Sequence, residues 1–235
     1  MWLPNENSGK EQVSGAEQLE RALRKLTAPI NGQYPRPWMT ASATPWASSV
    51  FTVGRNQRNG FAADLVGDHD TYLDALFNRN GQSCRGLYDR IIGKPSPTRI
   101  NTDRLVAGLR DKGISDVIET NVICYSTPMS ADLSLSEHHG GAQRGSEVFR
   151  AIFEFIKPRV MVVHGAGTSK ELGRLLGIQL PPVPATPERT TRTRTPTTEI
   201  WIIPSLAPPK WNSWARWASR HMDLVCKEVG EYVSA

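Results

Sequence analysis

Long apolar runs are missing from this chain: nothing in its 235 residues approaches the ~20 consecutive apolar side chains that a membrane span requires. Cysteine is nearly absent. Cys84, Cys124 and Cys226 are odd in number and widely separated, which excludes a disulfide framework and fits no zinc or iron–sulfur spacing. A reducing, cytoplasmic setting is therefore expected, with no metal and no cofactor. The N-terminal Met-Trp-Leu-Pro-Asn-Glu-Asn has neither the basic start nor the apolar run of a signal peptide. No Gly-x-x-x-x-Gly-Lys-Ser/Thr or Gly-x-Gly-x-x-Gly fingerprint occurs, and no Gly-x-Ser-x-Gly or Cys–His pattern points to a nucleophilic hydrolase. Acidic residues are outnumbered, 23 against 28 basic, and the net charge of +5 permits a nucleic-acid partner without requiring one.

What is present is a soluble composition, 39% hydrophobic and 22% charged, over a length that suits one α/β domain with appendages. Residues 1–13 read as frayed, and Ser14-Gly15-Ala16-Glu17 as a capping box opening a helix with Leu19, Leu23 and Leu26 inward. Residues 29–48, rich in proline, read as an extended wrap. Residues 1–48 thus form an N-terminal helix and wrap, and 49–235 the α/β domain. Four buried strands are predicted, at 49–53, 116–124, 159–165 and 199–203, with Gly54 ending the first. Helices are expected at 71–80, around 87–92, from about 100 to 112, from a Ser146 cap to Ile156, from a Thr168 cap to Leu176, and from 211 to 229. Strands alternating with helices predict a three-layer α/β/α fold around a central, mainly parallel four-stranded sheet. The stretch 125–145 is a long polar loop, and 181–198, rich in Pro, Thr and Arg, reads as a flexible basic loop.

Each predicted strand empties into polar residues at its C-terminal end, where α/β proteins bind ligands. The ends carry Gly54-Arg55-Asn56-Gln57, then Asn121 to Tyr125, His164-Gly165-Ala166-Gly167, and Pro204-Ser205-Leu206-Ala207-Pro208. In order and spacing, over roughly residues 49–229, these ends resemble the uracil-DNA glycosylase superfamily. Gly54 and Asn56 match its first motif, Asn121 the second, Gly165 the third and Pro204-Ser205 the last. The resemblance implies a monofunctional enzyme that flips a nucleotide out of duplex DNA and hydrolyses its N-glycosidic bond. On that reading Asn56 places the water, and Asn121 presents one donor and one acceptor to a pyrimidine edge. Gly54 lines the base pocket and Phe61 stacks on the base, unless it or Phe77 is simply core. Pro204, Ser205 and Lys210 hold the DNA backbone, and Leu206 begins the stretch that enters the duplex as a wedge. Other readings stay open: Asn56 as a turn cap, Asn121 as a structural asparagine, and Trp211, Trp214 and Trp217 as core rather than stacking residues.

The departures from the family pattern shape the substrate expectation. Gln57-Arg58 replaces the Pro-Tyr or Pro-Gly that follows the first-motif Asp or Asn, and in the uracil-specific branch that Tyr closes the pocket at C5. The last-motif His falls on Ile203, so His164 is the candidate to stabilise the leaving base, with His138-His139 as outside contributors. The implied substrate is a pyrimidine with a polar C5 substituent, such as the hydroxymethyl bases and glucosylated hydroxymethylcytosine of some phage genomes. The chain is similar to bacterial phage-defence glycosylases acting on such DNA. A monomer binding DNA and no membrane is expected. Uracil or hydroxymethyluracil repair is the nearest alternative, and a nucleotide-binding or catalytically inactive DNA-binding α/β module the alternative of another class. Arg189, Arg192 and Arg194 are either phosphate grips or a solvated linker. Asp68-His69-Asp70 is either an acid–base cluster or a helix start capped by Asp70.

Overall fold

The computed structural model describes residues 15–235; the frayed segment and the Ser14 cap lie outside the described residues. Helix α1 (Gly15–Leu26) leads into strands β1 (Gln33–Tyr34), β2 (Val50–Gln57) and β3 (Phe61–Ala62). Helices α2 (Ala63–Val66), α3 (His69–Leu76), α4 (Cys84–Ile92) and α5 (Pro97–Arg110) precede strand β4 (Val117–Ser126). Helix α6 (Gly141–Ile156), strand β5 (Val160–His164) and helix α7 (Ala166–Leu176) follow. Strands β6 (Thr191–Arg194) and β7 (Glu199–Ile203) and helix α8 (Ala215–Ser234) complete the order.

The central sheet has five strands in the order β4-β2-β5-β7-β6, so the four-strand expectation is one short. The four expected strands are all present and mutually parallel. The fifth, β6, lies inside the predicted mobile loop and runs antiparallel to β7, from Thr191 opposite Ile202 to Arg194 opposite Glu199. Its alternation pairs half-buried threonine with exposed arginine, so no apolar period marks it. Charged residues suit such a strand, because a sheet edge must discourage further pairing. Thr195 Oγ1 closes the turn by accepting from the Thr198 amide at 3.0 Å, and the Arg192 guanidinium lies 5.8 Å from the Trp201 ring centre.

Side-chain alternation divides the core into two. Phe51 and Val53 of β2, Ile118 and Val122 of β4, and Met161 and Val163 of β5 join α1, α3, α4, α6 and α7 on one face. Val50, Val117, Val160 and Val162 join α5 and α8 on the other. The N-terminal wrap belongs to the first core, where Trp38 is fully buried and donates to the Leu76 carbonyl at 2.9 Å.

Several element boundaries differ from expectation, among them α3 (His69–Leu76, expected 71–80) and α8 (Ala215–Ser234, expected 211–229), and three have a plain structural reason. Gly54 does not end β2: pairing with β5 stops at Val53, but the ladder with β4 continues through Gly54 opposite Asn121 to Gln57 opposite Ser126. Helix α6 begins at Gly141, five residues before Ser146, because two glycines allow its first turns to lie against β4. A Cβ at Gly141 would stand 2.5 Å from the Tyr125 ring, and one at Gly145 2.8 Å from the Cys124 amide. Helix α7 starts at Ala166, and Thr168 donates its hydroxyl to the His164 carbonyl at 2.7 Å instead of capping.

Candidate functional site

The α5/α8 face of the sheet changes character toward the strand C-termini. Along β2 it runs Val50, Thr52, Gly54, Asn56; along β4 Val117, Glu119, Asn121; along β5 Val160, Val162, His164. The apolar half is capped by α5 and α8. The polar half opens into a cleft of about 930 Å³, within the range of ligand sites.

Gly54 is the centre of this cleft. A Cβ there would lie 2.5 Å from Asn121 Oδ1 and 2.9 Å from His164 Nε2, so both side chains close over the bare backbone. The Asn121 amide has no hydrogen-bond partner among the described residues and keeps its donor and acceptor for a ligand. The His164 Nδ1 is buried and unpaired. Burial, and then the Arg99 charge, lower the His164 pKa to about 4, so the ring is neutral at physiological pH.

Beneath these residues the floor is polar. Arg99 projects from the first turn of α5, whose start is fixed by the Ser96 cap and Pro97. Its guanidinium pairs with Glu119 and, at 2.9 Å, with Asp103. Desolvation raises the Glu119 pKa against the pull of Arg99. Thr52 Oγ1 and Arg99 Nε are also buried without a partner. With Arg55 Nε, four buried polar atoms of cleft-lining residues have no partner, which is unusual, since buried polar groups are nearly always satisfied. Arg36, Arg55, Arg58, Arg99, Lys210 and Arg216 line the cleft against Glu119 as its one carboxylate. Arg36 is buried 5.1 Å from the Phe61 ring centre and 5.2 Å from that of Tyr88, and desolvation lowers its pKa. Periodicity gave no sign of Arg36, Arg99 or Thr52; Glu119, a charge interrupting an apolar strand on the same face as Asn121, was the one available clue.

The candidate residues divide accordingly. Gly54, Asn56, Arg58, Asn121, His164, Pro204, Ser205 and Lys210 all line the cleft. The Asn56 amide braces the loop after β4: Nδ2 donates to Thr127 Oγ1 at 2.9 Å, and Oδ1 accepts from the Ser130 hydroxyl. It is not a turn cap. Gln57 lines the cleft too, but it is buried and its amide is engaged within the fold, donating to the Arg36 carbonyl at 2.6 Å and accepting from Ser126 Oγ at 3.2 Å, so it serves as scaffold. Phe61 is corrected as well. It is fully buried, edge-on to Tyr72 with ring centres 5.8 Å apart, and does not line the cleft. Leu206 is 0% exposed in the second core, so it is no wedge in this structure. Its carbonyl accepts from Asn101 at 3.0 Å, and Trp214 donates to the Ser205 carbonyl at 2.8 Å, pinning the segment. Trp214 is core, while Trp211 and Trp217 are partly buried against it.

Outside the cleft, Asp68-His69-Asp70 is structural: Asp68, not Asp70, caps α3. Asp70 pairs with Arg24 at 2.5 Å, and His69 bonds Thr27 at 3.1 Å. His138 bonds the Tyr125 hydroxyl at 3.0 Å, and neither it nor His139 reaches the cleft. No group of three metal-ligating side chains occurs among the described residues, and no described helix is long and apolar enough to cross a membrane.

Comparison with protein-family models and with curated proteins finds no match to this chain. Its function is therefore read from the chemistry of the cleft.

Proposed function

We propose that this protein is a monofunctional DNA glycosylase that excises a modified pyrimidine and leaves an abasic site. The supporting observation is that Asn121 and His164 meet over the side-chain-free Gly54, in a cationic cleft that Asn56 also lines. A flipped base enters against the Asn121 and His164 side chains, which the bare Gly54 backbone lets come together, and Asn121 pairs with its edge. The C1′–N bond breaks with its electron pair leaving on the base. Neutral His164 donates a hydrogen bond to the developing negative charge, which it does without first losing a proton to solvent. Water forms the new C1′–O bond and its proton passes to solvent or the departing base. The Asn56 oxygen has a second lone pair beyond the one taken by Ser130, and this holds the water.

Gln57 carries no weight in the substrate reading, because its amide is consumed internally. The polar C5 substituent is supported instead by the unpaired Thr52 Oγ1, Arg99 Nε and His164 Nδ1. A hydroxyl-bearing group satisfies such a floor better than an anion, since Glu119 and Asp103 already balance Arg99. Glucosylated or plain hydroxymethyl-pyrimidines fit that description. Such bases occur in some phage genomes, so this specificity would serve anti-phage defence rather than repair.

The test is incubation with oligonucleotides bearing uracil, hydroxymethyluracil, hydroxymethylcytosine or its glucosylated form, followed by alkali. Strand cleavage at a hydroxyl-bearing base is the expected result. Cleavage at uracil alone overturns the substrate, and no cleavage at any base overturns the function. A second reading, binding of a free nucleotide, is favoured by the turn Gly165-Ala166-Gly167. It opens α7 toward the cleft without a side-chain cap, as helix N-termini that hold phosphate do. Calorimetric titration with nucleoside phosphates separates the two.

A further inference from the structure

With Leu206 buried, the residue expected to begin the wedge cannot fill the vacated stack, and the structure offers a large apolar side chain elsewhere. Met129 is 65% exposed, more than any other large hydrophobic residue among those described, and it lines the cleft. The other exposed large hydrophobic side chains, Leu65, Ile100, Leu135, Phe155 and Tyr232, do not.

The backbone beneath Met129 is held from several sides. Its amide donates to Asp132 Oδ2 at 2.8 Å, and its carbonyl accepts from Thr127 Oγ1 at 2.7 Å. Thr127 in turn is bonded by Asn56 Nδ2, and its own amide donates to the Gln57 carbonyl at 3.0 Å. Ser130, the next residue, donates to Asn56 Oδ1. Pro128, also exposed, restricts the turn further. A side chain projecting from so constrained a turn has a fixed direction, and an unbranched thioether adapts to an irregular gap.

We propose that Met129 is the wedge that enters the base stack when a nucleotide is drawn into the cleft. The inference rests on the glycosylase reading for its partner, duplex DNA, and the charge of the cleft favours that partner. Arg55, Arg58, Lys210 and Arg216 surround the mouth, where a protein partner of neutral surface would gain little. Insertion of an apolar side chain between base pairs offsets the unstacking that flipping requires. Because Asn56 anchors both Thr127 and Ser130, the wedge and the hydrolytic residue are mechanically one unit.

The experiment compares binding to a duplex carrying a stable abasic analogue, whose stack already has a gap, with binding to the same intact duplex. The wild type is expected to prefer the gapped duplex, Met129→Ala to lose about fivefold or more of that preference, and Met129→Leu to keep it. Thermal melting of both variants should stay close to the wild type, since the side chain is 65% exposed. A wild type without preference, or Met129→Ala with undiminished preference, overturns the wedge. Because this readout needs no catalysis, a Met129-dependent preference in a protein that releases no base sustains the wedge while the glycosylase reading falls.

Discussion

Gly54 is the residue on which the site depends, because its missing side chain is the space that the Asn121 and His164 side chains occupy. Gly54→Ala places a methyl within 2.5 Å of Asn121 Oδ1 and 2.9 Å of His164 Nε2, and one or both must move. Overpacking of this kind costs about 1–3 kcal/mol, whereas displacing reacting groups by an ångström costs roughly a hundredfold in rate. Steady-state base release by Gly54→Ala should therefore collapse while its melting temperature falls by a few degrees. His164 gives a second residue-scale test, in pH. Its pKa is lowered from 6.5 to about 4 in the fold, so between those values the unfolded chain binds a proton that the folded chain does not. Stability is then full above pH 6.5 and declines as pH falls toward 4. Replacing His164 by Asn should flatten that decline by on the order of 3 kcal/mol, read as the difference between wild-type and variant denaturation curves across the window. The cysteines make a third. Burial raises Cys84, Cys124 and Cys226 each to about 12, so the native protein should not react with a thiol reagent until it is denatured.

At the scale of elements, the start of α5 has the most leverage on the site. Ser96 Oγ accepts from the Arg99 amide at 3.2 Å, so one cap holds both the helix and the residue whose guanidinium anchors Glu119. Ser96→Ala should lower unfolding free energy by about 1 kcal/mol in denaturant titration, the usual cost of a lost cap, and weaken substrate binding with it. The elements also show what could be read from sequence. Val50–Val53, Val160–His164 and Glu199–Ile203 declare themselves because strands covered on both faces are continuously apolar. Gly54, Asn56 and His164, at the polar exits of the first two runs, line the cleft for the same reason: polarity begins where helix cover ends. Strand β6 was hidden because edge strands are polar, and its Thr-Arg alternation matches that of a solvated linker. Phe61 and Leu206 were misassigned for a different reason. Neighbours on a strand or loop point opposite ways, and a single residue's phase decides whether it meets the ligand or the core. Arg36 and Arg99 reach the cleft from the N-terminal wrap and from α5, across distances along the chain that no local pattern encodes.

At the scale of the whole molecule, a modest net charge of +5 matters less than its distribution. Arg99 is balanced by Glu119 and Asp103, and Arg36 is buried against aromatic rings, so neither is available to a polyanion. Arg55, Arg58, Lys210 and Arg216 form no ion pair among the described residues and stand around the cleft. If these four neutralise four phosphates, the logarithm of the association constant falls with the logarithm of salt at a slope of about −3.6. Duplex affinity should then drop on the order of a hundredfold between 50 and 200 mM salt. Lys210→Ala, exposed and bonded to nothing through its amine, should reduce the slope by about 0.9 and leave melting unchanged, whereas Arg192→Ala, stacked on Trp201 at the far sheet edge, should leave the slope alone. Fluorescence anisotropy across a salt series reads both. Equal slopes for Lys210→Ala and the wild type would place the DNA elsewhere on the surface, because a contact that releases no counterion is not a phosphate contact.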